Sequence, residues 1–298
     1  MYLRFFGLRE APFELTSNPR YLFFTPQHGE ALANLEYGLS SSKAITVVIG
    51  EAGIGKTTLV RAALQSERCR HIKAVLLENP ALTRAEFIQL LATRLQLPDG
   101  AGASKADFLT ALEAELRARN ARGETTALVV DEAQSLSHEL LEEIRLLANI
   151  ETPTEKLLPL VLVGQPELAE RLNEQSLRQL KQRVALRCEV AALNLLDTAS
   201  YIVSRIRTAG GNTTKLFTRE AVTLIHEAAR GIPRTINVLC DNALISGFAL
   251  RHQPVDRDIV LEVCRDFDLS RPTHVAAAPH EGNEKGAPTL IERLRQHA

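Results

Sequence analysis

No apolar run in this 298-residue chain approaches the ~20 residues needed to cross a bilayer. The longest good candidate, Leu157 to Gly164, suits a strand. The opening Met1-Tyr2-Leu3-Arg4-Phe5-Phe6 runs straight into Gly7 and Arg9-Glu10, and is not expected to be a signal peptide. The four cysteines, Cys69, Cys188, Cys240 and Cys264, stand far apart and none forms C-x-x-C. That argues against a zinc site or a disulfide scaffold and fits buried thiols in a reducing compartment. Charge of one sign is not in excess either: the formal net charge is −1, so the total advertises neither a nucleic-acid nor an anionic-membrane partner, and only local patches stay open. Apolar content of 45 % and charged content of 24 % are ordinary for a soluble protein, so composition does not discriminate function. The length allows one large or two modest domains.

What is present is organised around residues 44–58. Ala44 to Ile49 are apolar or β-branched and read as a buried parallel strand. They enter Gly50-x-x-x-x-Gly55-Lys56-Thr57, after which Leu59, Val60, Ala63 and Leu64 recur at helical spacing. A glycine loop that leads into a helix aims several backbone N–H groups at one point, where the helix N-terminus adds partial positive charge. A polyphosphate fits there. Gly50, Gly53 and Gly55 let the backbone curl close to it, and Glu51, Ala52, Ile54 and Thr58 complete the expected binding loop. Lys56 is suited to the β- and γ-phosphates and the Thr57 hydroxyl to Mg²⁺.

Ahead of this strand, residues 1–25 carry clustered aromatics interrupted by prolines, expected to form an irregular collar packed on the following domain. Pro26 opens a helix marked by Ala31, Leu32, Leu35 and Leu39. Beyond the loop, a strand is expected at Ile72 to Leu77, then helices at Arg84 to Gln96 and Lys105 to Arg119, parted by Pro98 to Gly102. This alternation implies parallel strands.

Thr126 to Val130 reads as the next strand and delivers Asp131-Glu132 to its carboxyl end, where open α/β sheets bind ligands. Asp131 suits the Mg²⁺ shell and Glu132 suits orienting and polarising a water. The helix from Ser137 to Ile150 carries Glu139, Glu142 and Glu143, expected as a solvated face. Leu157 to Gly164 ends at Gln165, a polar tip suited to bridging a γ-phosphate and the hydrolytic water.

Arg178, Lys181, Arg183 and Arg187 crowd the approach to a β-like run, Val184 to Val190. This density has three readings: a solvated helix face, a nucleic-acid contact, or an arginine offered to a neighbouring subunit's site, which can be worth about 10³ to 10⁵ in rate. From Leu193 the strands stop, and helical spacing continues through breaks at Gly210-Gly211-Asn212 and Gly231-Ile232-Pro233. Arg234, near a helix start, is placed to report on the phosphates. The expected division is a collar at 1–25, a nucleotide-binding α/β domain at 26–192, an all-helical lid at 193–268 and a mobile tail at 269–298 ending in a short helix from Thr289.

With these motifs in this order, the chain resembles an AAA+ ATPase. More narrowly, Met1-Tyr2-x-x-Phe5-Phe6-Gly7-Leu8-x-x-x-Pro12-Phe13, Gly164-Gln165-Pro166-Glu167-Leu168, Gln179-Leu180-x-Gln182-Arg183 and Gly231-Ile232-Pro233-Arg234-x-Ile236-Asn237 resemble the general secretion pathway A-type ATPases. That group includes proteins of type IV pilus and exopolysaccharide export loci and is akin to transposition-regulator ATPases. The resemblance implies a P-loop α/β fold with a parallel five-stranded sheet followed by a helical lid. It implies ATP at Gly50 to Thr58, Mg²⁺ and water handling at Asp131 and Glu132, sensors at Gln165 and Arg234, and an intersubunit finger at Arg183. It further implies a homo-oligomer serving an export or pilus machine, with duplex DNA as the alternative partner. The larger members continue into a membrane span and a peptidoglycan-binding domain, neither of which stands in this sequence, so a cytoplasmic motor or switch is expected, with attachment to the inner membrane through a partner left open. No base-reading motif stands clear in residues 18–30, where Tyr21 and His28 are the candidates.

Overall fold

The computed structural model describes residues 1–15, 19–21, 23–41, 43–78, 81–212 and 216–269. At its centre five parallel strands, β1 (Ile45–Ile49), β2 (Ile72–Leu77), β3 (Thr125–Val130), β4 (Leu160–Gly164) and β5 (Val184–Glu189), form one sheet in the order β2-β3-β4-β1-β5. The central strands are short unbroken apolar runs because both faces of the sheet are covered. Successive side chains point to opposite faces. Ile45, Val47, Ile49, Leu128, Val130, Leu160 and Leu162 enter one apolar cluster, whereas Val48, Ala127, Val129, Val161 and Val163 enter another.

The helices are, in order, α1 (Tyr2–Phe6), α2 (Pro26–Ser40), α3 (Lys56–Gln65), α4 (Arg84–Arg94), α5 (Lys105–Ala121), α6 (His138–Leu147), α7 (Pro166–Leu172), α8 (Arg178–Lys181), α9 (Leu195–Thr208), α10 (Arg219–Ala229), α11 (Pro233–Ala249) and α12 (Arg257–Asp266). α2 and α3 cover one face of the sheet through Leu35, Leu39, Leu59 and Val60. α4 to α7 cover the other through Phe87, Leu91, Phe108, Leu112, Leu140 and Leu168. Their starts follow local chemistry: Thr83 and Glu86 form a reciprocal cap on α4, and Ser104 and Ser137 cap α5 and α6.

α9 to α12 bury a third cluster of their own, built on Ile202, Ile225, Leu239 and Val260. Here the structure corrects the expected collar. The N-terminal segment begins with a helix, and Phe6, Leu8 and Phe13 are buried among α9 to α12 rather than against the α/β part. Phe13 meets Phe217 edge-on at 6.2 Å, Tyr2 donates to Asp241 Oδ1 at 2.6 Å, and the Arg9 amide donates to Ala209 O at 2.9 Å. The sheet already has both faces filled, so the aromatics go to the helical cluster, which has a face left to cover.

A second correction concerns α6. Glu143 is not on a solvated face: it is buried, and its Oε1 accepts from Arg84 (2.6 Å) on α4 and Lys105 (2.9 Å) on α5. A carboxylate survives there because two cations and their hydrogen bonds replace its water. Among the described residues no helix is long and apolar enough to cross a membrane. The expected tail helix from Thr289 lies outside the described residues.

Two outcomes follow from this packing. Replacing Glu143 by Ala strands two cations that are themselves partly exposed, so urea unfolding should show a loss of about 1–2 kcal/mol, less than for a fully buried pair. All four cysteines are free and buried, and burial raises each thiol, Cys188 up to about 11. An aromatic disulfide reagent at pH 8 should therefore leave all four unreacted in the native protein and titrate all four in denaturant.

Candidate active site

β1 ends at Ile49, α3 begins at Lys56, and the loop between them turns on Gly53 (φ 77°) and Gly55 (φ 105°), both in the left-handed region that favours glycine. Gly55 is the N-cap of α3 and brings no side chain to satisfy the first amides. Those donors are left for a ligand. Gly50 has a different reason: a Cβ there would stand 2.7 Å from Val190 O, so the loop could not pass the chain leaving β5. Lys56 is buried, and its Nζ donates to Gly50 O (2.8 Å) and Glu51 O (3.0 Å). Burial lowers its pKa, opposed by the nearby Glu132, Asp131 and Glu51 carboxylates.

Next to the loop, Thr57 Oγ1 donates to Asp131 Oδ2 at 2.5 Å, joining the start of α3 to the end of β3. The other Asp131 oxygen accepts from the Glu132 amide at 2.9 Å. Glu132 itself sits at φ 51°, a strained conformation for a side-chain-bearing residue, which turns its carboxylate into the cavity beside the loop. Thr57 and Asp131 supply hard oxygens at hydrogen-bond distance from each other. Among the described residues no cluster of three or more His, Cys, Asp or Glu could cage a metal, and Mg²⁺ asks for no cage, since it is held by one or two protein oxygens plus phosphates and water. The donor set fits it.

Glu132 Oε2 accepts from two amides, Gln134 Nε2 at 2.5 Å and Gln165 Nε2 at 3.2 Å. Gln134 also accepts from the Gln165 backbone amide at 3.1 Å, so one side chain ties the end of β3 to the tip of β4. Sequence reasoning missed Gln134. Its signal was there, two positions after Glu132 and beyond the apolar strand, but nothing in the pattern tells that it folds back. Gly164 makes room for it: a Cβ would stand 3.0 Å from Gln134 Oε1 and 2.7 Å from Leu168.

Arg234 reaches the site from α11. Its amide donates to Gly53 O at 3.2 Å, and a Cβ on Gly53 would meet the Arg234 Cβ at 2.7 Å, so the helical part rests directly on the loop. A cavity of about 350 Å³ lies beside them, lined by Gly53 to Leu59, Glu132 and Arg234 together with Tyr21, Phe23, His28 and Tyr201. Both open candidates, Tyr21 and His28, thus border it. Burial lowers the pKa of His28, against the pull of Asp197, and its Nδ1 lies 2.7 Å from Thr25 Oγ1. Burial and a hydrogen bond to Glu10 push Tyr21 up to about 12. Ala52 and Glu51 are exposed and outside the lining; Glu51 contributes its carbonyl.

Arg183 is not brought to this site. It precedes Val184, which pairs with Ile45 at the opposite end of β1 from the loop, roughly 16 Å away at ~3.3 Å per strand residue. Among the described residues it forms no ion pair.

Residues 39–172 match the AAA domain family, which spans the loop, β3 and the tip of β4. Over 262 residues, 88 % of this chain, the sequence is 41 % identical to general secretion pathway protein A of Aeromonas hydrophila. The chain belongs with the general secretion pathway A-type AAA+ ATPases. It spans about half (48 %) of the length of that relative. Among solved structures, the ORC2 protein of Aeropyrum pernix in its ADPNP–ADP complexes superposes with a TM-score of 0.63 at 17 % identity, covering 86 % of this chain and 71 % of that one. Cdc6p of Pyrobaculum aerophilum superposes at 0.66 and 17 %, covering 86 % and 70 %. At such identities the likeness concerns the fold: a parallel AAA+ sheet followed by helices.

In this AAA+ chain the contact between Gly53 and Arg234 leaves no room for a side chain. Gly53→Val should push α11 off the loop, and amide exchange at Arg234 should accelerate about tenfold or more, as expected for a locally opened element.

Proposed function

We propose that this chain is a Mg²⁺-dependent ATPase that hydrolyses ATP to ADP and phosphate as a homo-oligomer, and that it couples turnover to the assembly or operation of a secretion, pilus or exopolysaccharide export system. The observation that carries the reading is the convergence of Lys56, Thr57, Glu132 and Arg234 on one cavity, with Asp131 hydrogen-bonded to Thr57 and Gln165 to Glu132.

In this reading residues 26–192 hold the nucleotide and 193–268 act as the lid, with Leu15, Tyr21, Phe23 and Phe24 of the N-terminal collar along the cavity. The amides from Gly50 to Thr58 bind the phosphates. Lys56 gives up its two loop carbonyls for phosphate oxygens, and Thr57 and Asp131 would hold Mg²⁺, whose charge would offset that developing on the phosphates. Glu132 accepts a proton from the attacking water, while Gln165 and Gln134 fix its carboxylate. Arg234 follows the phosphates and moves the lid. Arg183, remote from its own site, serves the neighbour's site as a finger. The export role is supported by the identity to general secretion pathway protein A, and the proposed place of work is the cytoplasm, with attachment to the inner membrane through a partner left open.

ATP turnover measured against protein concentration tests this directly. Lys56→Ala should lose ATP binding. Glu132→Gln should keep it while turnover falls about 10² to 10⁴-fold, and unchanged turnover would remove the base assignment. Turnover should rise with protein concentration, and Arg183→Ala should lose it but regain part when mixed with Lys56→Ala, whose intact Arg183 completes the partner site. Undiminished turnover by monomers would exclude the finger.

A second reading, an ATP-dependent regulator on duplex DNA, draws on Arg178 and Arg187. Both are exposed and, among the described residues, form no ion pair. Steeply salt-dependent duplex binding with stimulated turnover would favour it over the export role.

A further inference from the structure

α9 contributes a buried arginine that the proposed chemistry does not use. Arg205 is 7 % exposed and borders the nucleotide cavity. Its Nε donates to Pro12 O at 2.5 Å, its Nη2 to Glu14 O at 3.2 Å and its Nη1 to the Tyr201 hydroxyl at 2.7 Å. Its guanidinium carbon lies 4.7 Å from the centre of the Tyr21 ring and 5.5 Å from that of Tyr201. Tyr201 passes the network on, donating to Asn237 Oδ1 on α11 at 2.9 Å.

Burying a cation is costly unless its water is replaced, and among the described residues Arg205 forms no ion pair, so carbonyls, a hydroxyl and ring faces must do so. An apolar side chain would fill the same volume without that cost. What the planar fork adds is geometry: it holds the carbonyls of residues 12 and 14, the Tyr21 ring and α9 in one arrangement. Leu15, Tyr21, Phe23 and Phe24, from the same N-terminal segment, line the cavity as well. The glycine loop and the residues pinned by Arg205 therefore border the same cavity, and with the phosphates held at the loop its aromatic lining is left for the nucleoside.

We propose that Arg205 is a positioning residue for the nucleoside end of the substrate, fastening the N-terminal segment to the helical part so that Leu15, Tyr21, Phe23 and Phe24 are held against base and ribose. The proposal rests on the ATP-binding reading above. A wall assembled in advance spares the ligand the cost of ordering it, so the loss on removing Arg205 falls on nucleoside contacts and not on phosphate contacts.

Calorimetric titration of the full chain with ATP and with inorganic triphosphate, both with Mg²⁺, separates the two ends. Wild type should bind ATP more tightly than triphosphate. Arg205→Ala should weaken ATP about tenfold while triphosphate changes by less than about twofold, with Arg205→Lys in between, because it keeps the charge and loses the fork. Equal weakening of both ligands, or an unchanged ratio, would assign Arg205 to packing alone and overturn the proposal. Should Arg205→Ala fail to fold, Arg205→Lys carries the same ratio. If wild type binds neither ligand, or if Lys56→Ala binds both as tightly as wild type, the ATP-binding reading itself fails, an outcome distinct from an unchanged ratio in a protein that does bind.

Discussion

Parallel pairing of β1 with β4, and of β4 with β3, is the constraint on which the rest of this molecule depends. Because the three strands run the same way in register, their carboxyl ends lie side by side. The glycine loop, Asp131-Glu132 and Gln165, spread over more than a hundred residues of the chain, become neighbours there. Antiparallel pairing at any of these contacts would send one group to the far edge, which is where Arg183 is found at the start of β5. The short hydrogen bond from Thr57 to Asp131 and the amide pair on Glu132 are consequences of that register.

The helical part meets this edge at few points, each closely fitted. Arg234 rests on Gly53. A Cβ on Gly231, at φ 71°, would fall 2.0 Å from Leu193 O, whose own residue donates its amide back to Gly231 O at 3.0 Å. Contacts this close hold α11 against the chain leaving β5 and against the glycine loop. The N-terminal segment belongs to the same body through Phe6, Leu8 and Phe13, so residues of that segment and of α9 and α11 line the cavity together.

Buried charges are handled by three different means. Lys56 uses loop carbonyls, which a phosphate is able to displace; Glu143 uses two cations, which leave it structural; Arg205 uses carbonyls and aromatic faces, which tie separate segments together. The difference is one of function. A charge neutralised by another fixed charge has little left for a ligand, which sets Glu143 apart from Lys56.

The sequence by itself determined the local features. β1, β2 and β3 fall at or within one residue of where apolar runs predict them, and the loop, the strand-end acids and the strand-tip glutamine are each legible, because strand length, glycine and helix spacing are local properties of the chain. Tertiary structure alone decided where separate pieces meet. The aromatic N-terminus joined the helical cluster, Glu143 went inside between two cations, Gln134 turned back onto Glu132, and Arg205 found carbonyls nearly two hundred residues away. None of these was readable in advance, since each depends on which apolar face or polar group is still unsatisfied once the sheet has closed, and that is a property of the packed molecule rather than of any stretch of its sequence.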